Sequence, residues 1–381
     1  MKNNTSQTNK KSLFLIYLGK SLAKFTFDFT KAVEDNLDKI DCFRLLISDS
    51  NLLKEGILEA KKDSYMLTTP LTLSETILKL PNFIIKSIKI IKKKKKEKER
   101  FVFLMTHVWN PFFMILIKIL SPRSKIFYVS HDANVHPGEK NSRLQYLIMQ
   151  IEILLSNKII TLSDNVKSTI QKRWPNKQIV ILEHPMYDFG KISETRKLGN
   201  IPTFLFFGRM IKYKGLNLFL QAIKIFDTKM KEFNKKYKVI IAGEGQIEDE
   251  DVLLINEINE KDKNIDLINK YIEEKDISKI WGRSDVCVLP YIEASQSGVI
   301  AIAINKGMPC IITPVTGLLE QCKVKTKEKA IALISREISP AAFSEKMVEI
   351  LNEDKYEYLS RNIIESQQDL GWRKWIEEII K

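Results

Sequence analysis

The sequence predicts an α/β protein in which parallel sheets are covered by helices. Short runs of β-branched and aromatic residues alternate with longer amphipathic stretches along all 381 residues, a pattern typical of βαβ units. With 44% hydrophobic and 28% charged residues, the composition is that of a folded globular protein and excludes a disordered or collagen-like chain. At roughly 100–200 residues per domain, the length fits two or three domains.

The first half of the chain predicts one α/β domain over residues 1–190. Apolar runs predict strands near 13–18, 43–47, 101–105, 125–129, 158–161 and 178–181. Amphipathic stretches between them predict helices near 20–35, 111–120, 141–155 and 164–173.

The second half predicts a similar α/β domain over residues 200–360, because a polar stretch follows His184-Pro185 and the alternation then restarts. The predicted strands lie near 203–207, 238–242, 265–268, 286–289, 310–313 and 330–333. The predicted helices lie near 215–233, 277–284, 297–306 and 340–352. Further helical patterns around 354–368 and 371–380 lead into a C-terminal helical segment, 361–381.

Half of the net charge of +14 lies in one short segment, because residues 86–100 hold nine Lys or Arg and two Glu, a net +7. Before and within it, Ile84, Ile88 and Ile91 share one helical face that follows Pro81. A local basic cluster beside apolar residues favours an anionic membrane surface over nucleic acid as the partner of Pro81–Arg100. The alternative is a surface helix that ends in a solvated charge run.

The cysteines form no CxxC pair and lie in or beside apolar runs, which predicts reduced core thiols in a reducing compartment: Cys42, Cys287, Cys310 and Cys322. The longest stretch without Asp, Glu, Lys or Arg, residues 101–117, is interrupted by His107 and Pro111, so no transmembrane helix is expected. We therefore expect a cytoplasmic protein that is peripheral on the inner face of the cell membrane.

Three glycine turns follow predicted strands of the second half. Gly208-Arg209, with Lys214-Gly215 after it, places two cations beyond a strand end, where they can neutralise a diphosphate. Gly243-Glu244-Gly245 repeats a glycine turn at the carboxyl end of a strand, and the segment 291–298 places small residues where a helix begins. The alternative for the first turn is a tight bend with two ordinary surface cations.

These turns, followed by Gly307-x-Pro309 and Gly317-Leu-Leu-Glu320, resemble the C-terminal domain of the GT-B glycosyltransferases of family four, glycosyl transferases group 1, over about 200–320. The resemblance implies two Rossmann-like domains facing across a cleft, with a C-terminal helix crossing back to the first. It also implies a retaining, metal-independent, hexosyltransferase-like enzyme that uses nucleoside diphosphate sugars and no cofactor, like enzymes of bacterial capsule, O-antigen and exopolysaccharide biosynthesis.

The resemblance implies a set of roles in the second domain. Arg209 and Lys214 would hold the donor diphosphate. The other implied donor-binding residues are Gly208, Gly243, Glu244, Gly245, Ser297, Gly298, Val299 and Glu320.

The sequence departs from the family at an acidic pair. Family members usually have Glu, seven residues, then Glu before the Gly-x-Pro turn, and these positions are Ala294 and Ile302 here. We expect Glu293, one place from the first position, to contact the sugar, with Glu320 as a second acidic residue beside a ligand loop.

In the first half, Ser130-His131-Asp132 and His136-Pro137-Gly138 also match the family. His131 stands two residues beyond a predicted strand, so we expect it to face the cleft, and the resemblance implies that it touches the transferred sugar. A structural histidine is the alternative. Asp249-Glu250-Asp251 contains a literal DxD, but it leads a helix whose N-terminal dipole favours negative charge, so no metal site is expected.

The sequence therefore predicts transfer of a sugar to a glycan or lipid-linked acceptor. Two alternatives stay open. One is a nucleotide-sugar epimerase of the same fold, which needs acid/base histidines and carboxylates; the low number of histidines, four in all, counts against it. A catalytically inactive GT-B-like binding subunit would fit the missing second Glu.

Overall fold

The computed structural model divides the chain by its contacts into two compact units, Met1–Leu182 with Trp372–Lys381, and Glu183–Gly371. It describes residues 111–134, 142–186, 189–322, 330–367 and 371–381, four strands before them, and the single helical residues 25, 28, 29, 32, 85, 88, 89 and 92. The domain limits drawn from the sequence stay a prediction; by contacts, residues 361–371 group with the second unit and 372–381 with the first.

The described strands of the first unit form a seven-stranded parallel sheet in the order β3-β2-β1-β4-β5-β6-β7. They are β1 (Lys11–Leu18), β2 (Ile40–Ser48), β3 (Ser64–Thr68), β4 (Phe101–Met105), β5 (Lys125–Ser130), β6 (Lys158–Thr161) and β7 (Gln178–Ile181). Three helices lie between the later strands: α1 (Pro111–Leu120), α2 (Ser142–Leu155) and α3 (Asp164–Arg173).

The described strands of the second unit form a six-stranded parallel sheet in the order β10-β9-β8-β11-β12-β13. They are β8 (Thr203–Phe207), β9 (Lys238–Gly243), β10 (Ile265–Asn269), β11 (Val286–Leu289), β12 (Cys310–Ile312) and β13 (Ala332–Ile334). The helices are α4 (Leu216–Glu232), α5 (Asp249–Asp262), α6 (Glu274–Gly282), α7 (Gly298–Asn305), α8 (Thr316–Cys322), α9 (Pro340–Glu349) and α10 (Glu353–Ser366).

The central strands β8, β9, β11 and β12 of the second sheet are almost continuously apolar and are buried on both faces, whereas the edge strand β10 is mostly exposed. Along β8, Phe204 and Phe206 face one hydrophobic cluster, with helix α4, whereas Leu205 faces the other, with helix α7. This alternation follows from the two-residue repeat of a strand, and helices on both faces are the usual cover of a parallel sheet. The carboxyl ends of the strands are thereby left open for loops.

The last helix, α11 (Arg373–Ile380), belongs to the first unit and is anchored there by aromatic packing. The Trp375 side chain is 1% exposed, and its ring centre lies 5.2 Å from that of Phe25 and 6.3 Å from that of Phe29. A partly buried ion pair, 2.7 Å between Lys158 Nζ and Glu378 Oε1, ties the same helix to β6.

The predicted α/β class with parallel sheets is confirmed, and the predicted strands and the other predicted helices lie close to their predicted positions, whereas the helix predicted near 20–35 lies mostly outside the described residues. One strand, β3, was not predicted: its five residues at the sheet edge show no clear alternation. Cys287, Cys310 and Cys322 are buried free thiols, as expected, whereas the Cys42 side chain lies outside the described residues. No helix within the described ranges has the length and apolar character needed to cross a bilayer.

Most of Pro81–Arg100 also lies outside the described residues, as do His107 and His136 to Gly138. Within that segment, Ile85, Ile88, Lys89 and Lys92 are described as helical, and Ile85 and both lysines are exposed. The predicted membrane role of the segment therefore stays a prediction.

We expect Trp375→Ala to destabilise the first unit by about 3–5 kcal/mol, because it removes a large buried aromatic side chain. Arg373→Ala is the matched control on α11, since it removes only an exposed ion pair with Glu377 and should cost at most about 1 kcal/mol. Urea unfolding of both variants measures the difference. Equal midpoints would show that α11 does not stabilise this unit.

Candidate functional site

The candidate site of the second unit lies where three neighbouring parallel strands end. β9, β8 and β11 are adjacent in the sheet, so their carboxyl ends lie at one edge. The loops that follow them are the three predicted glycine turns. Ligands of open α/β sheets bind at this edge.

The first two turns pack so closely that only glycine fits. The amide of Gly208 donates to the Ala242 carbonyl at 2.9 Å, and the amide of Met210 donates to the Glu244 carbonyl at 2.8 Å. A Cβ atom on Gly243, which has a φ of +150°, would stand 2.0 Å from the Gly208 carbonyl oxygen. The two turns therefore form one bare backbone surface that a ligand can approach closely.

The first and third loops are joined in the same way. Gly215 adopts a left-handed backbone, φ +71°, after the short 3₁₀ helix Lys212–Lys214, and a Cβ there would lie 1.9 Å from the Pro290 carbonyl oxygen. The Ile292 amide donates to the Tyr213 carbonyl at 2.8 Å. This close fit fixes the position of Lys214 relative to the loop after β11.

The Lys214 ammonium group lies directly over Gly208. Its Nζ would be 2.8 Å from a Cβ on that glycine, it donates to the Tyr291 hydroxyl at 3.0 Å, and it lies 5.0 Å from the centre of the Tyr291 ring. The pKa of Lys214 is lowered to about 8, chiefly by burial; the nearby Tyr213 raises it, and Arg209 lowers it by a lesser amount. Such a cation gains free energy when an anion joins it.

Tyr291 links this lysine to the start of α7. Its side chain is buried, its hydroxyl lies 3.3 Å from Ser297 Oγ, and burial raises its pKa, so the phenol is uncharged at neutral pH. Ser297 caps α7 by accepting from the Val299 amide at 3.3 Å. Val299 Cγ2 would lie 3.7 Å from a Cβ on Gly208, so the helix start and the first turn meet.

Gln321 of α8 holds the capping residue by two hydrogen bonds. Its Oε1 accepts from the Ser297 amide at 2.5 Å, and its Nε2 donates to the Ser297 carbonyl at 3.2 Å. The side-chain amide of Gln321 thus bonds both backbone polar groups of Ser297, as a second peptide group would, and fixes the loop after β11. The result is a cation, a glycine surface and a helix N-terminus in one place, which together suit a phosphate or diphosphate.

The remaining predicted donor residues surround this centre. Arg209 is exposed beside Gly208, and Glu244 and Gly245 are exposed in the second turn. Asn269, at the end of β10, clamps that turn: its Oδ1 accepts from the Gly245 amide at 3.2 Å, and its Nδ2 donates to the Gly245 carbonyl at 3.1 Å.

The acidic residues lie at the edge of the site. Glu293 is exposed two residues after Tyr291, and Glu320 is partly buried on α8, next to Gln321 in the chain. Ile302 and Ala294, which occupy the positions of the family's acidic pair, are 6% and 8% exposed and belong to the hydrophobic core. Their apolar side chains therefore contribute packing.

His131 lies in the first unit, directly after β5, and is partly buried. Its ring meets the Phe25 ring edge-on, with centres 5.7 Å apart. Its predicted contact with a transferred sugar stays a prediction.

The acidic run 249–251 forms the first turn of α5, as predicted. Asp251 accepts a hydrogen bond from Asn217 Nδ2 at 2.7 Å. Burial raises the pKa of Asp251, and this effect is larger than the lowering by the hydrogen bond from Asn217. The run is therefore part of a helix terminus packed against α4.

Residues 201–353 match the family model of glycosyl transferases group 1, which covers most of the second unit. Solved structures resemble the whole chain. A glycosyltransferase from Rickettsia africae ESF-5 has a TM-score of 0.66 at 18% identity, covering 98% of this chain and 100% of that one. The chain has a GT-B glycosyltransferase fold. The predicted family resemblance is thus confirmed.

Two further solved structures share this fold at 12% identity. Anabaena Alr3699/HepE in complex with UDP and glucose has a TM-score of 0.65, with 97% of this chain and 98% of that chain covered. A protein assigned as a UDP-N-acetylglucosamine 2-epimerase, from Listeria monocytogenes, has a TM-score of 0.62, with 92% and 91% covered. No curated protein was found to match the sequence.

Three residues of the candidate site were not predicted from the sequence as functional: Tyr291, Asn269 and Gln321. Tyr291 stands two residues after the end of β11, and Asn269 is the last residue of β10, so polar groups at strand ends are the signal that points to both. Gln321 sits within α8 and gives no comparable signal.

We expect Gly215→Ala to destabilise the second unit, because the left-handed backbone alone costs about 1–3 kcal/mol with a side chain and the new Cβ would collide with Pro290. Gly282→Ala is the matched control: a Cβ there meets no atom within 4 Å, and alanine favours the helix by up to about 1 kcal/mol. Urea unfolding compares the two. Similar stability of both variants would mean that the turn does not need glycine.

Proposed function

We propose that the protein is a retaining glycosyltransferase that moves a hexose-type unit from a nucleoside diphosphate sugar to a glycan or lipid-linked acceptor. The main support is the Lys214 ammonium group, held over Gly208 beside the start of α7. Negative charge develops on the departing diphosphate during transfer, and a fixed cation at that place stabilises it. The family match over residues 201–353 supports the same reaction class.

Each site residue has a proposed role. Arg209 and Lys214 neutralise the diphosphate, and the helix start Ser297 to Val299 binds it through the Gly298 amide, because the Ser297 and Val299 amides already donate to Gln321 Oε1 and Ser297 Oγ. Gly243 to Gly245 lie along the nucleotide. Glu293, and secondarily Glu320, bind the sugar or its ribose, and His131 touches the transferred sugar. In this proposal, protein cations act where other enzymes use a metal ion, and no cofactor is required.

The proposed donor class is supported by the fold neighbour Alr3699/HepE, whose structure contains UDP and glucose. We further propose that the protein works on the cytoplasmic face of the membrane in bacterial surface polysaccharide synthesis, with Pro81–Arg100 near an anionic lipid surface. The net +7 of residues 86–100 is the support for that placement.

A second candidate is a catalytically inactive nucleotide-sugar-binding subunit of the same fold. The observation that favours it is the apolar, buried pair Ala294 and Ile302, at positions where the family usually has acidic residues. A nucleotide-sugar epimerase is a third candidate, and the Listeria fold neighbour supports it. Donor turnover without acceptor distinguishes these: a transferase hydrolyses its donor slowly, an epimerase isomerises it, and a binding subunit leaves it intact.

We expect Arg209→Ala and Lys214→Ala each to lower turnover of the nucleotide-sugar donor by roughly 10- to 150-fold, the value of a hydrogen bond to a charged group. Lys212→Ala is the matched control, because Lys212 is an exposed lysine of the same 3₁₀ helix. The donor is first chosen by thermal shift with a panel of nucleotide sugars. Activity of both variants at the wild-type rate would refute the diphosphate assignment.

The same assay in excess EDTA tests the metal-independent mechanism, for which we expect unchanged turnover. Loss of activity in EDTA that manganese or magnesium restores would contradict it.

We expect the affinity for the corresponding nucleoside diphosphate to fall by about tenfold between pH 7 and pH 9, because Lys214, with a pKa of about 8, loses its charge there. The sign follows from the pKa: the charged lysine favours the diphosphate below pH 8, and binding raises the pKa of that lysine. In Lys214→Arg the guanidinium stays charged, so calorimetric titrations should show little change over the same range. Parallel pH profiles for the two proteins would contradict this role of Lys214.

A further inference from the structure

One side of α2 in the first unit is apolar and exposed. Leu144, Leu147 and Leu154 are each about half exposed, and Ile151 between them is partly buried. Their spacing of three, four and three residues places them on one side of the helix. We call these four residues the α2 stripe.

The neighbouring helix α1 also has exposed aliphatic side chains. α1 packs against α2, and its Ile119 is 71% exposed, with Ile115 one turn earlier also exposed. Two adjacent helices thus present large aliphatic side chains to solvent. Clusters of this kind on a monomer usually mark an interaction surface.

Cations border the C-terminal end of the α2 stripe. Lys177 Nζ donates at 2.8 Å to the carbonyls of Leu154 and Ser156, and Lys118 Nζ donates at 2.8 Å to Asn157 Oδ1. Burial lowers the pKa of Lys177, and the charge of Lys118 lowers it further, so the two ammonium groups repel each other. Within the described residues, neither contacts a carboxylate.

Acidic groups do not offset these cations on the two helices. α1 contains none, and the one acidic residue of α2, Glu152, is 1% exposed. Arg143, exposed at the opposite end of α2, adds a cation beside Leu144. The surface therefore combines exposed aliphatic side chains with positive charge at both ends.

We propose that the α2 stripe, with Lys118, Lys177 and Arg143 around it, docks the first unit on a bilayer that contains anionic lipids. Aliphatic side chains can enter the boundary between headgroups and acyl chains while the cations contact lipid phosphates. A peripheral contact of this kind needs no spanning helix. The inference rests on the membrane placement proposed above and deepens it, because it assigns the contact to residues other than Pro81–Arg100; vesicle binding itself requires neither donor nor acceptor.

The test is cosedimentation of the full chain with vesicles of phosphatidylglycerol and phosphatidylcholine, and with vesicles of phosphatidylcholine alone, at low and high salt. The double variant Leu147→Gln/Leu154→Gln removes two stripe residues that are each 56% exposed. The matched control Val252→Gln/Leu253→Gln removes exposed apolar residues of α5 in the second unit. Arg143→Gln removes one cation without touching the apolar side chains.

We expect the wild type and the α5 control to bind anionic vesicles, and the stripe variant to bind at least about tenfold more weakly. Arg143→Gln should weaken binding at low salt and have little effect at high salt. Equal binding by wild type and stripe variant would overturn the proposal, as would equal binding to phosphatidylcholine alone. A wild-type dimer in analytical ultracentrifugation that only the stripe variant abolishes would assign the surface to a second copy instead. Donor thermal shift on the same variants keeps this result separate from the proposed transfer activity.

Discussion

The hydrogen bond of 3.0 Å between Lys214 Nζ and the Tyr291 hydroxyl joins the parts on which the candidate site depends. It connects the turn after β8 with the loop after β11, and Tyr291 continues the connection to the cap of α7 through Ser297. Burial makes the Lys214 charge unfavourable until an anion arrives and lowers its pKa to about 8, with a lesser contribution from Arg209. The backbone packing holds this cation in place before any ligand binds, as the proposed anion site requires.

Glycine residues permit the close backbone packing of these turns, and their positions in the sequence indicate where the turns lie. Gly208, Gly215 and Gly243 stand at three strand ends or turns, and a side chain on the last two would collide with a neighbouring carbonyl. Close approach of backbone to backbone is a property that single-sequence patterns indicate well, because glycine is the residue that permits it. For the same reason the three turns could be located before the structure, together with Arg209 and Lys214.

Other parts of the site could not be predicted because they depend on contacts between residues distant in the chain. The bonds of Gln321 to Ser297 and of Asn269 to Gly245 join residues 24 positions apart, and neither Gln321 nor Asn269 stands in a motif. The fold followed from periodicity where strands are continuously apolar, as in β8 and β11. Periodicity did not predict β3, because its five residues at the sheet edge have no clear pattern. The burial of Ile302 in the core likewise needed the structure to show that this departure from the family supplies packing.

The most direct test of this account is a crystal structure of the second unit's site, determined on the full chain with the nucleoside diphosphate that binds most tightly. We expect the diphosphate to lie within hydrogen-bonding distance of Lys214 Nζ and of the backbone amides at the start of α7, over Gly208. A diphosphate bound elsewhere, with the Lys214–Tyr291 contact intact and no phosphate oxygen near either group, would contradict the central claim.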